Sequence, residues 1–214
     1  VPFAKPVIVV ALSALLLGAC SRQGEIDPTG GIFVTRSACP AVAVPAFTGD
    51  VTVFNPPSSR DSRAIDVVAT ITNLKSTCTE TAADVLANAS FDVVAVRASA
   101  VGEREVVLPY FATVVQGGRA VVSKRLSRVA LRFADGQLRA STSATAGATV
   151  NRAAATLPAD IQQKITRKRK AGDADAAIDP FADPDVRAAA QRASFELLVG
   201  FQLTQDQLQY NATR

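Results

Sequence analysis

Most of the charged side chains that could act in concert lie in one stretch. A basic run, Lys164, Arg167, Lys168, Arg169 and Lys170, is followed at once by Asp173, Asp175, Asp179, Asp183 and Asp185. Against nucleic acid such a run would contact phosphates, but no aromatic side chains interleave it to stack bases. Against anionic lipid headgroups, each basic residue close to the surface would contribute about 1 kcal/mol. The plainer reading, a solvated helix end answered by the Asp series, is preferred. The Asp series itself lacks the fixed ligand offsets and the turning Gly of a calcium loop, and reads as an acidic, solvated linker.

Nucleophilic and metal chemistry find little to work with. The 214 residues contain no His, which removes the commonest general base, proton shuttle and metal ligand together. Three Cys do not make a zinc site. The sequence holds no G-x-S-x-G elbow, no S-x-x-K and no Gly-rich loop opening a helix. A carboxylate-only hydrolase needs two acids at a defined separation. Glu103, Glu105 and Glu196 are the candidates, and each reads as a solvated sheet position. Nothing implies a cofactor, and a formal net charge of +4 selects no partner.

The elements that must position these groups read as strands, because apolar residues recur with period two. Residues 51–54, 65–74 and 91–96 carry the pattern, with Val67, Ala69 and Ile71 sharing one face. In 105–115, Pro109 points to an edge or bulge position. Val129, Leu131 and Phe133 alternate with Arg128, Ala130 and Arg132, and Phe195, Leu197, Val199, Phe201 and Leu203 form the strongest apolar face. Gly117-Gly118 reads as a two-residue hairpin turn in which both residues want positive φ, and Asp135-Gly136 reads similarly. The expected fold is all-β: an antiparallel immunoglobulin-like or fibronectin-like sandwich, with a small barrel as the alternative. The sandwich is assigned to 37–150 and 194–210. Between them, 151–193 reads as a long charged, Ala/Asp-rich insertion, partly helical and partly disordered, with few side chains entering the core.

The start of the chain carries a different signal. Residues 1–6 hold one charge, Lys5, and an apolar run of eleven residues follows at 7–17. As a helix this run covers about 16 Å, roughly half the hydrocarbon thickness of a bilayer, so it fits a signal-peptide core better than a span. Leu17-Gly18-Ala19-Cys20 then resembles the lipobox of bacterial lipoproteins. The alternative is an uncleaved apolar anchor with an incidental Cys. Val1 in place of Met fits an alternative start codon or a trimmed sequence. The resemblance implies a signal peptide over 1–19, lipidation of Cys20 and a tether over 20–36. Ser21 stands where Asp would favour inner-membrane retention, which implies the outer membrane. With Cys20 lipidated, Cys39 and Cys78 remain, and an oxidising compartment would pair them. The alternative is two separate buried thiols.

The segment 195–204, with Gln207-Leu208, Tyr210-Asn211 and Leu108-Pro109-Tyr110-Phe111, resembles uncharacterised lipoproteins of alphaproteobacteria. That resemblance implies no activity. The expectation is therefore a non-enzymatic periplasmic domain on a lipid anchor, an accessory, scaffold or assembly partner of envelope proteins. It expects a membrane contact through the lipid and a protein partner, with no nucleic acid and no small-molecule cofactor. The alternative is a lipoprotein that binds glycan or peptidoglycan. Trp is absent, so a concave pocket holding Tyr110 or Tyr210 would have to support it. A carboxylate-based hydrolase is the third reading.

Overall fold

The computed structural model describes residues 25–26, 32–33, 37–167, 172, 174 and 177–214. The expected signal peptide, Cys20, and Lys168, Arg169 and Lys170 lie outside them. Two units are distinguished, one made of 37–165 and 178–214, the other of 1–36 and 166–177. In the smaller one, Glu25–Ile26 (β1) pairs antiparallel with Ile32–Phe33 (β2).

The larger unit is mostly β, with two four-stranded sheets arranged as a sandwich. One sheet has the order β3-β10-β7-β8 and the other β4-β5-β6-β9. The strands are Ala41–Ala43 (β3), Asp50–Phe54 (β4), Ile65–Glu80 (β5), Asp84–Arg97 (β6), Arg104–Gln116 (β7), Ala120–Phe133 (β8), Arg139–Asn151 (β9) and Phe195–Phe201 (β10). All pairings are antiparallel except β3 with β10. Alternation puts Val67 and Ala69 of β5, Val85, Phe91 and Val93 of β6, Leu131 and Phe133 of β8, and Leu197, Val199 and Phe201 of β10 into one core. Burial of each large side chain contributes about 1.5–3 kcal/mol. The last strand buries Phe195, Leu197, Val199, Gly200 and Phe201, with Glu196 and Leu198 half-buried, because it lies between β3 and β7, not at an edge.

Three local readings need correction. Pro109 stands on β7, an interior strand. In an antiparallel ladder a residue's N–H and C=O face the same neighbour. The Pro109 C=O accepts from Gln202 N, just past β10, so its missing N–H falls where that neighbour has already ended. The Gly117 hairpin has three turn residues, since Gln116 pairs with Ala120, although Gly117 and Gly118 do take positive φ of 63° and 75°. The Asp135-Gly136 turn joins β8 to β9, which lie in different sheets.

The insertion is more ordered than its composition suggests. It holds Arg152–Ala155 (α1), Ala159–Thr166 (α2) and Pro184–Arg192 (α3). Ile161, Val186 and Ala189 form a second small core, flanked by Leu157 and Ile165. Ala155 reaches the main core. A final helix, Gln205–Thr213 (α4), starts with a capping box in which Gln207 N donates to Thr204 Oγ1 at 3.2 Å and Thr204 N to Gln207 Oε1 at 3.0 Å. It covers the free edge of β4: Asn211 Nδ2 donates to Phe47 O and Asp50 O, both at 2.8 Å, and Tyr210 packs edge-on against Phe54.

Candidate interaction site at the β8–β9 edge

The residues singled out by sequence have local duties where they are described. Cys39 and Cys78 form a disulfide with Cα atoms 6.0 Å apart, tying the segment before β3 to the far end of β5. Lys164 reaches Asp183 at 3.4 Å, and Arg167 follows α2 directly. Of the Asp series, Asp173 and Asp175 lie outside the described residues, and two others cap turns: Asp179 Oδ1 accepts from Phe181 N at 2.9 Å, and Asp183 Oδ1 accepts from Asp185 N at 2.8 Å. That backbone bond, the largest influence, and Lys164 hold the Asp183 carboxyl below its usual range. These duties keep Asp179 and Asp183 each in its own turn. Among the described residues no group of three or more His, Cys, Asp or Glu could hold a metal ion.

Glu103 stands two residues before Glu105 and both act on Arg132, while Glu105 and Glu196 do not converge. Glu105 pairs across to Arg132, whose Nε lies 2.7 Å away. Glu196 stands opposite Val115, at the other end of β7. Ten residues of strand separate positions 105 and 115, about 33 Å, against the 5–10 Å that carboxylate hydrolysis uses.

Two polar constellations emerged that the sequence did not signal. Asp92 on β6 accepts from Asn73 Nδ2 and from Ser143 Oγ, each at 2.7 Å, beside a depression of about 310 Å³ that Lys75 also lines. These bonds hold the Asp92 carboxyl below its usual range, which makes it a poor base for activating Ser143. Arg97 is buried and donates to four carbonyl oxygens, those of Gln137, Gly102, Ala100 and Ala134, at 2.8–3.0 Å. It also lies over the Phe133 ring. This is a clamp on the loops at one end of the sandwich.

A larger concavity lies elsewhere. A cleft of about 670 Å³ lies between β8 and β9, with Tyr110 of β7 in its lining. Its origin is in the sequence of β8. Val129, Leu131 and Phe133 point inward and are buried, but the same face continues into Ser127, Arg125 and Ser123. Polar side chains cannot close a core, so all of 120–128 is exposed. The opposing wall is small, with Ala146, Gly147 and Ala148 on β9. Tyr110 is itself buried, donates to Thr145 O at 2.9 Å and stacks edge-on against Phe91. It is part of the lining rather than an exposed platform.

One cation, Arg125, lines the cleft. β8 has no acidic residue, and Lys124 and Arg128 stand on the opposite face of its exposed half. Lys124 lies over the Phe111 ring at 5.2 Å. The site was hard to see in the sequence because Lys124-Arg125 and Arg128 are interspersed with Ser and Leu and form no long run. The readable signal was polar residues continuing the parity of an apolar face.

Among the described residues no helix is long and apolar enough to cross a membrane. No protein-family model, no curated protein and no solved structure matches the chain.

Proposed function

We propose that the chain is a lipid-anchored periplasmic protein, attached at Cys20 to the outer membrane, that serves as a non-enzymatic accessory, scaffold or assembly partner of envelope proteins. The observation that supports it most is the Cys39–Cys78 disulfide. Such bridges persist in oxidising compartments, and the lipobox-like Leu17-Gly18-Ala19-Cys20 would deliver the chain to one. Immunoglobulin-like or fibronectin-like modules are the architectural comparison we favour for the sandwich, as a likeness of layering.

One observation favours a second reading, a lipoprotein that binds glycan or peptidoglycan. The β8–β9 cleft has Tyr110 in its lining. The two readings separate in one experiment. Crosslinking in intact cells, followed by isolation from membranes, should return an envelope protein in fixed proportion if the first reading holds. If the protein instead elutes without a protein partner, and peptidoglycan fragments shift the NMR resonances of Tyr110 and Thr145, the second replaces it.

A further inference from the structure

We propose that the exposed half of β8 is a docking edge for an extended, acidic segment of a partner protein, which adds as a further strand to the β3-β10-β7-β8 sheet. This deepens the partner-binding role proposed above, but it does not depend on the lipid anchor.

The geometry singles out this edge. Sheet edges carry unpaired backbone groups and are normally shortened or covered. Of the four edges, β3 has three residues, α4 covers β4, and β9 carries only Ser, Thr, Ala, Gly and Val after Arg139 up to Val150, with no large apolar side chain exposed. β8, with 14 residues, is an edge strand whose first nine residues are exposed on both faces. Val121, Val122 and Leu126 are each more than half exposed there, which supplies apolar contacts for an added strand. Side chains of such a strand that point inward would enter the cleft beside Tyr110.

Charge selects the occupant. Lys124, Arg125 and Arg128 form no ion pair with any described residue, and neither β8 nor β9 contains an acid. A second copy of this chain docking through β8 would set cations against cations, so self-pairing is opposed. An acidic strand would place carboxylates opposite Lys124 and Arg128 on one face, or opposite Arg125 on the other, while its main chain completes the ladder, as in β-strand addition.

The test uses the full chain in non-ionic detergent and two fluorescent peptides of about ten residues, the usual strand scale. One alternates Glu with Val and the other Lys with Val. The Glu-Val peptide should bind at least about tenfold more tightly than the Lys-Val peptide. The double substitution Arg125→Glu and Arg128→Glu should reverse that order without changing the far-UV circular dichroism. Hydrogen exchange of amides within 120–128 should slow on binding, which attraction to charge alone would not produce. Equal binding of both peptides, or Glu-Val binding that leaves exchange in 120–128 unchanged, would overturn the proposal. So would vesicles of phosphatidylcholine and phosphatidylglycerol engaging Arg125 and Arg128 when the Glu-Val peptide does not. Loss of lipidation at Cys20 would leave the peptide result untouched, so failure of the anchor reading and failure of this one are distinguishable.

Discussion

Asp66 and Arg104 meet through two short bonds, at 2.7 and 2.6 Å, with Asp66 largely covered and Arg104 nearly half exposed. Hydrogen bonding from Arg104 holds the Asp66 carboxyl below its ordinary 3.8, against a smaller opposing effect of burial. A carboxyl lowered by folding lends stability that is complete above the unfolded value of about 4 and is lost as pH falls through the lowered folded value. Asp66→Asn should therefore cost about 1 kcal/mol or less at pH 7, since Arg104 is solvent-screened. In urea melts, the gap to the parent should narrow below about pH 4 and close in stronger acid. Arg97 is a different case, because its partners are four carbonyls and water has no access to replace it. Arg97→Met should cost about 3 kcal/mol or more, read as a lower urea midpoint. Arg97→Lys should recover little, since a single ammonium cannot span the positions the planar fork reaches.

At the scale of elements, what was legible followed the size of the inward side chains. Phe195, Leu197, Val199 and Phe201 advertise a buried strand, and all four are buried. β9 is the opposite case: its inward Ala140, Ala144, Ala146 and Ala148 are too small to make alternation visible among Ser and Thr, so it went unrecognised. Within the insertion α1, at its start, was not readable, whereas α2 was, from Ile161 and Ile165 one turn apart. Its packing was not, because the partner that covers Ile161 is Val186, which lies twenty-five positions along the chain. The same limit hid Arg97, whose four acceptors come from two separate loops. Placing charge in the small second core should distinguish it from the main one. Val186→Asp should speed hydrogen exchange across α2 and α3 while amides of β6 and β7 keep their protection. A uniform rise in exchange over the whole chain would show instead that the insertion and the sandwich unfold as one unit.

For the whole molecule, the fold and the compartment argue in the same direction. Cys39 and Cys78 lie 39 positions apart, and closing a loop of that size stabilises by about 4 kcal/mol in the chain-entropy account. The bridge joins the approach to β3 with the exposed end of β5, where the apolar alternation has already run out. A single acyl chain holds a protein only reversibly, whereas several make a lasting anchor. The anchor proposed at Cys20 would therefore keep the protein at a membrane surface. The most direct measurement is intact mass spectrometry of the protein extracted from membranes, alongside a Cys20→Ala variant. The account predicts a parent chain that begins at Cys20 and carries a diacylglyceryl adduct, and a variant that keeps residues 1–19 and carries no lipid. A parent chain in which Cys20 is unmodified and residues 1–19 are retained would contradict it.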